Sequence, residues 1–542
     1  MNAQPNHAVP PSKLPQSLVM SATISTKQVQ VISRHPLQCA SETAVSVLES
    51  PFELGPLDHM VLPFVPVDAV FVYRKPIPDA NADDNALIEV GRLLRALALV
   101  LDYYPHLTGR LHFDPRSHRP KIVSLGLGAE LLEARCSLRL DDIKSKSNRL
   151  LLTDLPDSGN ALLPPFDSTI EGVCRDPILA IQHTRFACGS VALGIRIHHI
   201  ACDACGFFQF ARDLAQLYRA LGPSGRDGNV VGTPILSPPP EIRSYLRDPG
   251  SMTSEERESA LQSNQTTYYL VDDPGTSSNT EPSTAANKPA PPPVLGRVLR
   301  FSSQKLQELK AQATDPNGQD WISTNDALVA YLYQLTYRAR LQHLIAQGVP
   351  ETTAFNQLST GIFSSIDMRG PTRLNLPPRY FPNCVYGAYM YLQPQTLAHG
   401  PLWRVAKAFH DMSHGVTPEQ MKQNTQWLAI QPDKSRIRMN FDFNGSFTTS
   451  QWCKFDMYVG TDFDVDQHGN AIPPVVVSRP FTDISRVDGL AMVMASEEQV
   501  YRFMNTSPSS KGQCAVYVNY TVSEPVWAYL DQDVEFEEIC CS

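Results

Sequence analysis

Side chains that can move protons, attack electrophiles or bind metals are concentrated in one segment, which reads His198-His199-Ile200-Ala201-Cys202-Asp203-Ala204-Cys205-Gly206. A histidine with an ordinary pKa near ~6.5 can accept a proton at neutral pH, and this suits a general base. Asp203 follows His199 by four residues and could orient that base or pair with a cation elsewhere. We identify His199 and Asp203 as the candidate catalytic residues.

Three other interpretations of this segment stay open. A lone histidine is most often a core residue whose hydrogen bonds are satisfied. Cys202 and Cys205, beside two histidines, could bind zinc, although no second ligand pair lies at a finger-like spacing. A thiol nucleophile served by His199 is also chemically feasible, but residues three and six positions along a tight turn are poorly placed to meet their own histidine.

The elements on either side must position this segment. Apolar residues alternate in front of it and predict a strand over 191–199, with His199 on the buried face. Apolar residues at helical spacing follow from Phe207, and the predicted helix ends at Gly222-Pro223. His199 and Asp203 therefore lie at a strand-to-helix turn.

The same alternation of helices and strands runs through the chain and indicates an α/β protein. Asn85–Tyr103 reads as an amphipathic helix, and Ser323 begins a capping-box pattern for a helix that continues toward Arg340. Between the two halves, Val271–Pro293 is a tract rich in Pro, Ser, Thr and Asn that cannot build a core. We expect a disordered N-terminus (1–20), an N-terminal domain (21–240), a crossover linker (241–295) and a C-terminal domain (296–542).

Composition excludes several classes of protein. The 542 residues include 42% hydrophobic ones, enough for substantial cores, and 46 basic against 55 acidic residues give a net charge of −9. Without a basic cluster, nucleic acid is an unsuitable partner. No apolar run approaches the length of a membrane span, and the N-terminus lacks a signal-peptide pattern. With eleven scattered cysteines, an odd number, we expect a cytoplasmic protein with reduced thiols.

The pattern His199-x-x-x-Asp203 resembles the motif of the BAHD acyl-CoA-dependent acyltransferases, and further landmarks of that family follow in order over most of the chain. These are Leu54–His59, Tyr104–Leu111, Asp367–Arg369, Tyr380–Asn383 and Thr461–Phe463. The resemblance implies an α/β fold of two chloramphenicol-acetyltransferase-like domains, each a mixed sheet with flanking helices, around a central channel. It also implies acyl-CoA as co-substrate, a small-molecule alcohol or amine as acceptor, no bound cofactor or metal, and a monomer.

The resemblance also assigns roles to residues outside the motif turn. Asp203 pairs with Arg369 in such enzymes, and this structural role is favoured over direct catalysis. Asp462 belongs to a supporting loop. Independently of the resemblance, amide and hydroxyl groups can bind the CoA arm or the oxyanion, so three polar residues are candidates for lining the tunnel: Asn383, Thr449 and Ser450. The alternative for Thr449 and Ser450 is that they are ordinary strand residues.

Several positions depart from the family pattern and indicate a divergent, fungal-like member. Ala204 replaces the glycine after the motif aspartate, and Gly206 is expected to supply the lost flexibility. Asp464 and Asp466 stand where the family carries a Gly-Trp-Gly run, so a solvated acidic loop is as compatible with the sequence as a supporting one. The lost run also motivates a rival function, a catalytically degenerate acyl-CoA-binding or scaffold protein.

Overall fold

The structure is a computed structural model, and it describes residues 28–540 with internal gaps. The gaps are residues 78–85, 116–117, 144–148, 223–233, 247–249, 251, 264–265, 273–290, 319–320 and 497–514. The expected disordered N-terminus (1–20) and most of the tract 271–293 lie outside the described residues.

The strands of the described chain are β1 (Val29–Leu37), β2 (Pro66–Tyr73), β3 (Arg110–Phe113), β4 (Pro120–Val123), β5 (Ala129–Cys136), β6 (Leu179–Phe186), β7 (Val191–His198), β8 (Tyr268–Leu270), β9 (Val294–Phe301), β10 (Gly361–Asp367), β11 (Val385–Tyr391), β12 (Ile437–Met439), β13 (Phe447–Gln451), β14 (Val476–Ser478), β15 (Leu490–Met494) and β16 (Val516–Ser523).

The α-helices of the described chain are α1 (Thr43–Ser46), α2 (Val90–Tyr103), α3 (Ile170–Arg175), α4 (Ala204–Ala220), α5 (Ser254–Gln262), α6 (Ser303–Gln312), α7 (Thr324–Ala346), α8 (Glu351–Gln357), α9 (Pro394–His399), α10 (Leu402–His414), α11 (Pro418–Ile430), α12 (Glu524–Leu530) and α13 (Val534–Cys540).

Two six-stranded sheets organise the molecule. The first has the order β1-β5-β6-β7-β2-β14, and the second has the order β11-β10-β13-β15-β16-β9. The first sheet is antiparallel except for the β5–β6 pair. In the second sheet the β10–β13 and β13–β15 pairs are parallel and the others antiparallel. The prediction of two mixed sheets with flanking helices is confirmed.

The central strands of the first sheet are covered on both faces. Every residue of β2 and β7 is buried, as expected for strands that lie between packed layers. The helices α2 and α4 contact each other and contribute to the same core as these strands. Since both faces are buried, alternation along β7 does not by itself distinguish a core histidine from one that reaches a site.

The helix α7 occupies the centre of the second half. Its Ser323 and Asp326 form the predicted capping box, and the helix runs on to Ala346, beyond the expected Arg340. Most of its residues up to Leu341 are buried, on all sides of the helix, as is typical of a helix enclosed by other elements. None of the helices in the described ranges is both long and apolar enough to cross a bilayer.

The two halves exchange elements. The strand β14, which lies in the C-terminal part of the sequence, pairs with β2 at the edge of the first sheet. The expected crossover linker, 241–295, is not bare, because it contains α5 and the strand β8, which pairs with β12. The division at residues 240 and 296 stays a proposal.

Candidate active site

His199 directly follows β7, at the turn that leads into α4. Its backbone N–H donates to the Val65 carbonyl at 3.3 Å, and its own carbonyl accepts from Asn383 Nδ2 at 2.9 Å. The residue is half-buried, and its Nδ1 has no hydrogen-bond partner among the described atoms. The position of His199 is therefore fixed through its backbone, and the ring nitrogen is not engaged by a carboxylate.

The protonation of His199 is biased toward the neutral form. Burial lowers the pKa of His199 below its ordinary value of 6.5, and the charge of Arg479 acts in the same direction, whereas the Asp203 carboxylate opposes both. A neutral imidazole at physiological pH has a lone pair that can accept a proton.

The neighbouring His198 is a satisfied core residue. Its Nδ1 accepts from the Ile200 N–H at 3.2 Å, so Nε2 carries the proton and donates to the Pro63 carbonyl at 2.7 Å. Burial lowers the pKa of His198 to about 3. The structural interpretation considered for the histidine pair therefore applies to His198.

Asp203 is the N-cap of α4 and the partner of Arg369. Its carboxylate accepts from the Gly206 N–H at 3.2 Å and from the Cys384 N–H at 2.9 Å. Both of its oxygens lie 2.9 Å from Arg369 Nη2, so the predicted ion pair is present. No described hydrogen bond joins Asp203 to the His199 ring. The geometry therefore favours the structural role of Asp203 over the catalytic one.

Arg369 extends this connection to the segment that precedes β11. Its Nε donates to the Tyr380 carbonyl at 3.0 Å, its Nη2 to the Pro382 carbonyl at 2.6 Å, and its Nη1 to Asp367 at 2.8 Å. Because one guanidinium binds all of these groups and Asp203, the end of β10 and residues 380–384 are held against the motif turn.

Asn383 and Asp58 form a second connection at the same place. Asn383 Nδ2 donates to Asp58 Oδ1 at 2.9 Å and to the carbonyls of His199 and Ile200 at 2.9 and 3.2 Å. The Asn383 N–H also donates to Asp58 Oδ1, at 3.1 Å. The amide nitrogen expected to contact CoA is thus occupied by protein acceptors. We describe Asn383 as a residue that positions His199.

Asp58 was not among the candidate site residues, although it lies in the Leu54–His59 landmark. It is 1% exposed, and its Oδ2 accepts from the Gly55 N–H at 2.8 Å and from the Ser244 hydroxyl. Burial raises the pKa of Asp58 to about 6. The spacing of the landmark could have pointed to this residue, but not to its partner Asn383, which is 325 residues away.

A buried ion pair contributes to the electrostatic environment of His199. Arg479 Nε lies 3.0 Å from Asp68 Oδ1, and Arg479 Nη2 donates to the Pro66 carbonyl at 3.2 Å. The charge of Arg479 lowers the pKa of His199, and His199 in turn lowers the pKa of Asp68. They are 411 residues apart, and nothing in the sequence pattern links them.

Comparison with known proteins decides the family. The sequence model of the transferase family matches residues 27–485. The chain belongs to this family, the BAHD acyl-CoA-dependent acyltransferases. It is 25% identical to the Arabidopsis thaliana acyltransferase GLAUCE over 342 aligned residues. This alignment covers 62% of this chain and 66% of GLAUCE. It is 26% identical to hydroxycinnamoyltransferase 2 of Oryza sativa subsp. japonica over 382 aligned residues. This alignment covers 70% of this chain and 76% of that relative.

Solved structures show the same fold. The chain aligns with vinorine synthase at a TM-score of 0.59 and 16% identity, covering 95% of this chain and 98% of that one. It aligns with F. sporotrichioides TRI101 at a TM-score of 0.58 and 19% identity, covering 90% and 98%. The predictions of the BAHD family, of an acyl-CoA-dependent O-acyltransferase and of the two-domain α/β fold are confirmed.

The departures of this BAHD chain from the family pattern have structural explanations. Gly206 lies in the first turn of α4, and a Cβ built on it would be 2.2 Å from the Phe381 carbonyl oxygen. Gly206 therefore permits close approach of the two segments, and its expected role in supplying flexibility stays a prediction.

The acidic loop of this BAHD chain is only partly solvated. Asp462 Oδ2 lies 3.2 Å from Arg219 Nη1, consistent with a supporting role. Asp464 pairs with Arg92 at 3.1 Å and accepts from the Ile88 N–H at 2.7 Å, so the idea that it is merely solvated is wrong. Asp466 accepts from the Asn470 N–H of its own turn at 2.8 Å.

Burial disfavours the thiolate form of the two cysteines in the motif turn. Burial raises the pKa of Cys202 well above its usual range and raises the pKa of Cys205 to about 11. Among the described residues, the groups of three or more ligating side chains that are close enough to share an ion do not include these cysteines. The geometry thus favours neither a thiolate nucleophile nor zinc at this turn.

The two remaining candidates lie on β13 in the second sheet. Thr449 is fully buried, and its hydroxyl has no hydrogen-bond partner within the described part of the chain. Ser450 is half-buried on the same strand. Within the second sheet, Thr449 pairs with Ser364 and Ala491, and Ser450 pairs with Met492.

Proposed function

We propose that this enzyme transfers an acyl group from acyl-CoA to a hydroxyl or amine of a small molecule, with His199 as the general base. The observation that carries the proposal is an imidazole at the junction of the two halves whose Nδ1 has no hydrogen-bond partner among the described residues. Burial lowers the pKa of this imidazole, which favours its neutral form. The proposal includes a channel through this junction and, as the sequence predicts, a cytoplasmic monomer.

The proposed step needs a base, a nucleophile and a thioester. His199 removes the proton from the acceptor as its oxygen or nitrogen attacks the thioester carbonyl carbon. The tetrahedral intermediate then collapses, the C–S bond breaks, and the imidazolium returns the proton to the CoA sulfur. A positioned base contributes about 10²–10⁴ in rate.

The surrounding residues support this step by holding His199 in place. Asn383 and Asp58 restrain the backbone of the histidine, and the Asp203–Arg369 pair fixes the turn that follows it. A base that must meet a bound acceptor benefits from such rigidity, since small displacements of catalytic groups reduce the rate strongly.

Thr449 is our candidate for a polar contact to the substrates. A buried hydroxyl without a partner is uncommon, and the Thr449 hydroxyl has none within the described ranges, so it can donate to the oxyanion or to the pantetheine arm. Ser450 on the same strand is included in the proposal as a second contact to the CoA arm.

The names of related proteins support this substrate class. The solved TRI101 structure is complexed with coenzyme A and T-2. The oat relative is named as an N-hydroxycinnamoyltransferase that uses hydroxycinnamoyl-CoA, and a Penicillium rubens relative, 35% identical over 98 residues, is named as an eremophilane O-acetyltransferase. Hydroxyl and amine acceptors therefore both belong in the test.

The test is a thiol-release assay with purified protein. Acetyl-CoA, benzoyl-CoA and hydroxycinnamoyl-CoA are each offered with pooled alcohols and pooled amines, and free CoA thiol is measured with and without acceptor. Acceptor-dependent thiol release with one acyl-CoA is expected. If acyl-CoA binds but no combination releases thiol above the rate without enzyme, the rival function of a degenerate acyl-CoA-binding or scaffold protein is favoured.

A further inference from the structure

Two histidines of α10 and one aspartate of α7 form a cluster outside the segment that carries His199. One ligand atom from each of Asp326, His410 and His414 lies within 4.8 Å of the others. Asp326 lies in the first turn of α7, and the histidines lie four residues apart in the last turns of α10. Across the described ranges, this is the one group of three such side chains that is close enough to share an ion.

The spacing of the two histidines suits joint binding of a metal ion. Residues four apart on a helix lie on the same face, one above the other, so both side chains can reach one ion. The rings of His410 and His414 are stacked in the unliganded chain, with centroids 4.1 Å apart. His414 Nδ1 lies 3.1 Å from the His410 carbonyl and 3.0 Å from Ser413 Oγ. Since a carbonyl only accepts, His414 Nδ1 carries the proton and Nε2 keeps its lone pair, the form in which imidazole binds metals.

Asp326 supplies a carboxylate that is already fixed in place. Its Oδ2 accepts from the Ser323 N–H at 2.8 Å and from His410 Nδ1 at 2.9 Å, so His410 keeps its lone pair on Nε2. The side chain of Asp326 is 2% exposed, and its negative charge raises the pKa of Lys454. A bound cation would stabilise this buried carboxylate by compensating its negative charge. His414 is exposed, so an ion can reach the cluster from solvent.

We infer that Asp326, His410 and His414 bind a divalent transition-metal ion, with water at the remaining position. Two imidazoles and one carboxylate suit Zn²⁺, which binds nitrogen and carboxylate oxygen at about 2.0–2.2 Å. Binding requires the His410 and His414 side chains to rotate from their present stacked arrangement, and both are less buried than Asp326. The ion would join the end of α10 to the start of α7, a structural role that does not depend on the proposed acyl transfer.

The test compares metal binding by the full chain and by two matched variants. Protein treated with a chelator and then freed of it is titrated with Zn²⁺ by calorimetry and with Co²⁺ by visible absorption. Wild type is expected to bind one equivalent at this site, with Co²⁺ bands typical of nitrogen and oxygen ligands. His414→Ala should bind at least about tenfold more weakly, and it should still fold, because this side chain is exposed.

The control is His399→Ala, which removes an exposed histidine from another helix of the same half, where it pairs with Glu351 at 2.9 Å. It should bind Zn²⁺ as wild type does, and its melting temperature should rise on adding Zn²⁺, whereas that of His414→Ala should not. Absence of stoichiometric binding in wild type would overturn the inference. Equal affinity in His414→Ala, or Co²⁺–thiolate absorption unchanged by that substitution, would also overturn it, and the latter result would assign the ion to cysteines.

Discussion

At the scale of single residues, adjacent histidines have opposite roles in our interpretation. Nδ1 of His199 has no hydrogen-bond partner in the part of the chain that the structure describes, whereas both nitrogens of His198 are hydrogen-bonded. We expect His199→Ala to reduce kcat at least about 100-fold while acyl-CoA affinity and melting temperature stay close to wild type. Thiol release, equilibrium binding and thermal unfolding measure the three quantities.

His198→Ala is the matched control for that experiment. It removes two buried hydrogen bonds, so we expect it to lower the melting temperature and to leave turnover per folded molecule largely unchanged. The opposite result, a stable but inactive His198 variant beside an active His199 variant, would exchange the roles of the two residues.

The pH dependence of the reaction provides a separate prediction for His199. Because burial lowers the pKa of this imidazole, kcat/KM should rise with one deprotonation whose midpoint lies below about 6.5, and it should be flat above that pH. Initial rates at low acyl-CoA and saturating acceptor concentration measure the profile. A midpoint above pH 8 that Cys205→Ser removes would instead indicate a thiolate mechanism.

His106 predicts a pH dependence of stability. It is 1% exposed, both ring nitrogens lack partners in the described structure, and burial lowers its pKa to about 3. The unfolded state, with a pKa near ~6.5, binds the proton first, so this residue's contribution to stability is lost as pH falls from about 6.5 toward 3.

We therefore expect His106→Leu to lose about 2 kcal/mol less free energy of unfolding than wild type between pH 7.5 and 5. Urea unfolding at the two pH values measures this difference. The comparison cancels the opposite contribution of Asp58, whose raised pKa favours the folded state on acidification. His468→Leu, at the surface, controls for loss of a histidine, and identical losses in wild type and His106→Leu would contradict the prediction.

At the scale of elements, ion pairs join helices to loops, and the burial of a pair determines how much unfolding free energy is lost when one partner is removed. The Asp203 and Arg369 side chains are 5% and 12% exposed, whereas those of Asp462 and Arg219 are 21% and 33% exposed. Asp203→Asn should cost about 3–5 kcal/mol of unfolding free energy, because it leaves a buried guanidinium with only the more exposed Asp367 as counter-charge.

Asp462→Asn is the matched control and should cost about 1 kcal/mol or less, because its ion pair is exposed to solvent. Urea unfolding measures both variants, and thiol release is assayed below the onset of unfolding. If Asp203→Asn has wild-type stability and no turnover, Asp203 acts directly in catalysis and our structural assignment is wrong.

At the scale of the whole molecule, the halves are held together by contacts far from the linker in sequence. The pairs Asp58–Asn383, Asp68–Arg479 and Arg92–Asp464 all cross between the halves, and β14 completes the first sheet. Each such contact involves partners more than 300 residues apart. Association of the halves should therefore survive a break in the chain between them.

We expect limited proteolysis to cleave first within Val271–Pro293, whose composition gives it little to bury. The nicked protein should elute at the native size in gel filtration and separate into two fragments only in denaturant. Intact-mass analysis locates the cut. First cleavage inside either half, or separation of the fragments under native conditions, would contradict this view of the molecule.

The sequence alone determined the local structure around His199. Alternation along β7 and helical spacing after Phe207 are set by neighbouring side chains, so the strand, the turn and the helix follow from them. The landmarks pointed to the family and to the Asp203–Arg369 pair. Chain order also placed the Ser323 capping box, since a helix start depends on a few adjacent residues.

Only the tertiary structure decided which of these groups meet. Asp58 with Asn383, and Asp68 with Arg479, come together through packing of distant segments, and no local pattern records such a contact. Likewise, position 206 requires glycine only because the Phe381 carbonyl packs against it. The cluster of ligating side chains from α7 and α10 also forms only in the folded chain. Local periodicity fixes which face of an element is apolar, but the neighbour that covers that face is chosen by the fold as a whole.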